Sequence, residues 1–183
     1  MPRIRPVEYA EATPGVRAAH DEVVREHGRI TNMKRTLLHS LPAFHALMEW
    51  YPLRDTVAPF LGERLTDTFA HAISAETDCL VCSTFFRRVL IEAGEDPDGF
   101  ALDEREKLVV ELGRHLGKPL ARVPDGLYAR LAAAFSDEQI VALTAFGALM
   151  VATNVFNNAL DVELDGYLGP YRKAGAAPAE GAA

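Results

Sequence analysis

Apolar residues recur at intervals of three and four along almost the whole chain, and period-two alternation bounded by Gly or Asn turns is hard to find. That pattern predicts an all-α protein. Thr13 is placed to cap a first helix with Pro14 at its first position, and Gly28 to stop it. A second helix begins near Thr31; Pro42 breaks or kinks it, "PAFHALMEWY" resumes it, and Pro52 is expected to end it before a short helix over Leu53 to Leu61. "LTDTFAHAISAE" and "CLVCSTFFRRVLIEA" predict two helices meeting at Thr77 and Asp78, with Asp78 as N-cap, Cys79 in the first turn and Gly94 as the stop. Beyond the loop "EDPDGF", "LDEREKLVVELGRHLG" and "PDGLYARLAAAF" read as further helices, the latter with Pro124 near its start. Ser136 with Gln139 forms a capping box that opens a long final helix.

That helix carries no charge from Gln139 to Leu160, a length that roughly suffices to cross a bilayer of about 30 Å. Its flanks are acidic (Asp137, Glu138, Asp161, Glu163, Asp165), Lys and Arg anchors are missing, and Thr144, Thr153, Asn154, Asn157 and Asn158 lie inside. The expectation is a core helix, partly covered by another subunit. Residues 1–171 read as a single helical domain, and the Ala/Gly/Pro-rich stretch 172–183 as a disordered tail. A shift of seventy residues lays Asp67 over Asp137, Phe86 over Phe156 and Leu90 over Leu160, a two-unit pseudo-repeat in which only the first unit carries cysteines.

Composition narrows the function. The 183 residues are 49% apolar and 25% charged, and a net charge of −7 without a basic cluster argues against nucleic acid as a partner. The start, "MPRIRPVEYAEATPG", lacks an apolar signal region, so a cytoplasmic protein is expected. In that reducing compartment two cysteines point to redox chemistry or a metal rather than a structural staple. Cys79 and Cys82 lie three apart, on one helix face with Cβ atoms about 5 to 6 Å apart, and a disulfide between them closes almost no loop. Its use would be to open and close. The helix start favours a thiolate, more at Cys79 than at Cys82, while Glu76 and Asp78 oppose it. The plainer alternative is a pair of buried core thiols. A zinc site needs four ligands and only His71 lies near, so neither a metal nor a cofactor is expected. Arg87 and Arg88 suit an anionic partner or a solvated face. Asn154, Asn157 and Asn158 share one helix face and predict a polar network or a subunit contact. His39 and His45 suit a pocket with Trp50 and Tyr51, or simple helix packing.

"RLTDTFAHAISAETDCLVC" and "SDEQIVALTAFGALMVATNVFNNALDVELD" resemble the carboxymuconolactone decarboxylase superfamily in its alkylhydroperoxidase D-like branch, over about Tyr9 to Leu168. The resemblance implies that branch's helical fold. In it a Glu stands twelve positions before the C-x-x-C and a His four after it; here those positions hold Asp67 and Phe86. Carried over, Cys82 is the sulfur that attacks peroxide, Cys79 the one that resolves it, and Asp67 the surviving acid, whereas Phe86 cannot move a proton. His71, four after Asp67 on the same predicted helix, is a candidate substitute base with Ser74 and Glu76 on the next turn; core packing is its alternative. The implied function is a thiol-dependent peroxidase of peroxiredoxin type. Its implied partners are a small-molecule hydroperoxide, a dithiol protein or lipoyl-type reductant, and further copies of the chain in a trimer or hexamer. The alternatives are a structural or redox-responsive oligomer that has lost catalysis with the His, and a decarboxylase-type enzyme acting on a small acid.

Overall fold

The computed structural model describes residues 1–173, and the expectation of a disordered tail lies, from residue 174 onward, outside them. Among the described residues the chain forms nine α-helices and no strand. They are α1 (Pro14–His27), α2 (Asn32–Leu37), α3 (Leu41–Met48), α4 (Trp50–Leu61), α5 (Glu63–Glu76), α6 (Leu80–Glu92), α7 (Glu104–Gly117), α8 (Asp125–Ala134) and α9 (Asp137–Ala159). Most boundaries fall where local chemistry puts them. Thr13 caps α1 and Gly28 ends it at φ 73°, Asp103 with Glu106 and Ser136 with Gln139 form capping boxes on α7 and α9, and Gly94 follows α6 at φ 86°.

Two boundaries differ from expectation. Pro52 does not end a helix: the break comes at Glu49, and Pro52 lies in the first turn of α4, where a missing N–H leaves no helical bond unmade. Asp78 is not the N-cap of α6. It adopts a left-handed conformation at φ 50°, and Cys79 is the N-cap, at φ −86° and ψ 103°. The reversal from α5 into α6 needs one residue of positive φ, which Asp tolerates better than most.

Helix α5 is the hub, packed on α4, α6, α7 and α9. Phe69 of α5 and Phe146 of α9 meet with ring centroids 6.1 Å apart at the centre of the core, among Ile73, Leu112, Leu143 and Met150. Gly147 permits that approach, since a Cβ there would run into Leu116, Phe69 and Ile73. Helices α1 to α3 form a smaller cluster around Val23, Leu37, Leu38 and Phe44, joined to the main core through Met33 and Phe156. Helix α9 is long and apolar enough to cross a membrane by length and composition. Here it runs in contact with α3 to α8, as a core helix does. A seventy-residue shift lays the α5–α6 turn, 77–79, over 147–149 in the middle of α9, so the turn bearing the cysteines has no counterpart there.

Candidate functional site

The α5–α6 turn is held from below by α9. Asn154 donates from Nδ2 to Thr77 Oγ1 at 2.8 Å and to Ser74 Oγ at 3.4 Å, and Asn158 donates to the Thr77 carbonyl at 3.0 Å. Asn157, between them, directs its Nδ2 at the sulfurs, 3.2 Å from Cys82 Sγ and 3.9 Å from Cys79 Sγ. The three amides form the polar network that their shared helix face predicts. Asn157 Oδ1 is buried and has no hydrogen-bond partner among the described residues.

Both cysteines are free and buried. The Cys82 thiol, the amides of Cys82 and Val81 and the Asn157 amide hold Cys79 below its usual pKa against the cost of burial. The same shared proton, together with burial, holds Cys82 well above its own. The pair therefore carries its first negative charge on Cys79, the order that helix geometry predicts. Access runs the other way. Cys82 lines a cavity of about 110 Å³ walled by Met48, Trp50, Phe85, Phe86, Met150 and Leu168, and Cys79, 1% exposed, does not reach it. The more acidic sulfur is Cys79, and the one that borders the cavity is Cys82.

A cleft of about 890 Å³ adjoins the cavity, and Lys34, Tyr51, Trp50, Met48, Thr31, Phe85 and Phe86 line both. Lys34 is only 6% exposed and donates from Nζ to Tyr51 Oη at 2.6 Å. Burial pushes Lys34 down to about 8 and Tyr51 up to about 12. The Tyr51 ring stacks on His27, and Trp50 donates its indole N–H to Met150 Sδ at 2.7 Å, which fixes both aromatic walls. Composition gave no hint of Lys34. A signal existed: it shares a helix face with Thr31, Leu37 and Leu38, where a lysine is out of place.

The other candidate residues are dispersed. Asp67 lines the cleft beside Phe86 but not the cavity of Cys82, and its carboxylate lies 3.6 Å from Arg54, which also pairs with Glu63. Burial raises its pKa despite Arg54. His71 faces away from both cavities, edge-on to Phe100 in the field of Arg87 and Asp98, and burial and then Arg87 push it down to about 4. Its setting is that of a neutral packed histidine. Glu76 is exposed at the end of α5, its stem under Gly117. Phe86, 4% exposed, packs against Trp50 and Phe85. Arg87 pairs with Asp98 at 2.5 Å, and Arg88 lies over the rings of Phe85 and Tyr167 at the cleft. His45 lines the cleft with Trp50 and Tyr51, while His39 bonds the Arg5 carbonyl instead. No group of three or more His, Cys, Asp or Glu able to hold a metal occurs among the described residues.

No family model matches the sequence, and no curated protein is significantly similar to it. Solved structures do match in shape. The alkylhydroperoxidase AhpD core of a peroxidase-related protein from Ralstonia eutropha JMP134 superposes with a TM-score of 0.74 at 19% identity, covering 91% of this chain and 94% of that one. The fold is that of the alkylhydroperoxidase D-like proteins. A peroxidase-related protein from Silicibacter sp. TM1040 superposes with a TM-score of 0.73 at 15% identity, covering 92% of this chain and 96% of that one. The debrominase Bmp8 superposes with a TM-score of 0.76 at 15% identity, over 92% of this chain and 95% of its own. A cysteine-to-alanine variant of Bmp8 in complex with 2,3,4-tribromopyrrole matches equally well.

Proposed function

We propose that this chain is a thiol-dependent oxidoreductase of the peroxidase type, with Cys82 the attacking and Cys79 the resolving sulfur. The observation that carries it is the division of labour in the pair: Cys82 faces an apolar cavity while Cys79, buried behind it, is the more acidic of the two. Cys79 takes the Cys82 proton, and the Cys82 thiolate attacks the terminal oxygen of a hydroperoxide. The O–O bond breaks, alkoxide leaves and is protonated to alcohol, and Cys82 becomes a sulfenic acid. The Cys79 sulfur then displaces hydroxide, forming the disulfide, with water the product after protonation. A dithiol restores both thiols and becomes a disulfide itself. Asn157 can donate to the thiolate and accept from a sulfenic hydroxyl through its unpartnered oxygen.

The test is thiol titration before and after one equivalent of cumene hydroperoxide, followed by turnover with dihydrolipoamide. Loss of two thiols per chain with turnover is expected; unreactive thiols would remove the peroxidase reading and leave the structural one.

A second reading is favoured by the apolar, aromatic wall with Phe86 where the resembling branch has a base, and by the likeness to a debrominase. In it Cys82 takes a halogen from an aromatic carbon, which is then protonated, and Cys79 displaces halide to form the same disulfide. Bromide release from 2,3,4-tribromopyrrole with a dithiol, at a rate above peroxide consumption, distinguishes it.

A further inference from the structure

Lys34 presents a problem in electrostatics that the redox pair does not explain. A buried ammonium is expensive unless paired. Among the described residues no carboxylate forms an ion pair with it, Glu26 of the adjoining cleft acting on it only at longer range, and the partner of its Nζ is the neutral Tyr51 hydroxyl. An ammonium has three donors and this bond uses one. Both side chains border the cavity that Cys82 lines, whose remaining wall is almost wholly apolar. The other charged group there is Asp165, 9% exposed, whose Oδ1 accepts the Asn32 N–H while Oδ2 is buried without a partner among the described residues. Burial raises its pKa, with the Asn32 N–H and the charges of Arg35 and Arg29 opposing.

We propose that the cavity beside Cys82 selects a ring-sized apolar molecule bearing one oxyanion, a carboxylate or phenolate, with that oxygen held by Lys34 and Tyr51. The volume, about 110 Å³, is of the order of a cavity that admits one benzene ring, about 150 Å³. The oxyanion supplies the charge that Lys34 lacks and takes a charge-assisted bond from it, while the ring replaces water against Trp50, Phe85 and Phe86. The inference rests on the thiol reading only in placing the reacting atom against Cys82; binding does not need the sulfur.

The test is titration with 4-nitrobenzoate and with neutral 4-nitrobenzamide at pH 7, read by quenching of Trp50, the one tryptophan of the chain and part of the cavity wall. The benzoate is expected to bind at least about tenfold tighter than the amide, a ratio worth about 1.4 kcal/mol. Lys34→Met is expected to abolish that preference and Lys34→Arg to keep part of it, with amide binding serving as the control that each variant is folded. Equal binding of the two probes by the parent protein, or a preference that survives Lys34→Met, overturns the proposal. The same titration on Cys82→Ser separates it from the redox reading. Selective binding there, with no thiol turnover in the parent, leaves the site standing and removes the peroxidase; turnover in the parent without selectivity does the reverse.

Discussion

Cys79 and Cys82 differ in what surrounds them by one helical turn, and that difference sets the first expected outcomes. If Cys82 attacks, Cys79→Ser retains a sulfenic acid that a dimedone-type probe traps after peroxide, and Cys82→Ser traps none. Mass spectrometry of the labelled peptide reads the result, and labelling of Cys82→Ser instead would give the attacking role to the more acidic sulfur. Phe86→His places an acid–base group on the wall that Cys82 shares, at a site where Phe86 packs on Trp50 and Phe85. Peroxide turnover is expected to rise by about tenfold or more, since a well-placed group is worth about a hundredfold. Lys34 has a pH signature in stability. Its pKa in the fold is about 8 against 10.5 for the free side chain, so between those values the unfolded chain holds more protons. Stability therefore falls as pH drops from the higher value through the lower, and the cost is fully present at neutral pH. Replacing Lys34 by Met together with Tyr51 by Phe removes donor and acceptor at once and is expected to stabilise the protein by about 1 to 3 kcal/mol at pH 7, the gain fading above pH 10. Chemical denaturation at both pH values measures it.

At the scale of elements, the turn between α5 and α6 is where local and tertiary preferences meet. Asp78 has φ 50°, and Thr77 is bonded by two asparagines of α9. Asp78→Gly is expected to be neutral or to raise the melting temperature, because glycine adopts that conformation without a Cβ penalty, whereas Asp78→Val is expected to cost more than about 1 kcal/mol. Asn154→Leu leaves the Ser74 and Thr77 hydroxyls without their α9 partner, at an expected cost of about 1 to 3 kcal/mol. A parallel loss of Cys82 reactivity in Asn154→Leu would show that the clamp positions the sulfurs; unchanged reactivity would assign it to stability alone.

For the whole molecule, α9 is the element with two faces to satisfy. One side fills the core with Leu143, Phe146 and Met150, while Val141, Ala148, Ala152 and Val155 remain exposed, Val141 at 67% and Val155 at 58%. Val141 and Ala148 lie one heptad apart, and Ala148, Ala152 and Val155 follow at four and three, the spacing by which helices pair. We propose that a second copy of the chain covers this face, in an assembly of the trimeric or hexameric kind. Light scattering at micromolar concentration is expected to give more than one chain, and Val155→Glu to shift it towards monomer; a monomeric parent protein would remove the proposal.

Local chemistry in the chain determined most of the fold: period-three-and-four spacing specifies helices wherever it occurs, and capping residues such as Thr13, Asp103 and Ser136 act within one turn of themselves. The nearness of the two sulfurs was equally legible, because a spacing of three at a helix start brings both side chains to one side, where Asn157 meets them. Pro52 and Asp78 depart from the local expectation because a proline inside a first turn and a left-handed aspartate depend on how the flanking helices pack, not on the residue itself. Burial decided the rest. Only the tertiary structure separates Asp67 and His71 from the cavity and brings Lys34 and Tyr51, 17 positions apart, to it, since which charged groups lose their water depends on packing between helices distant in sequence.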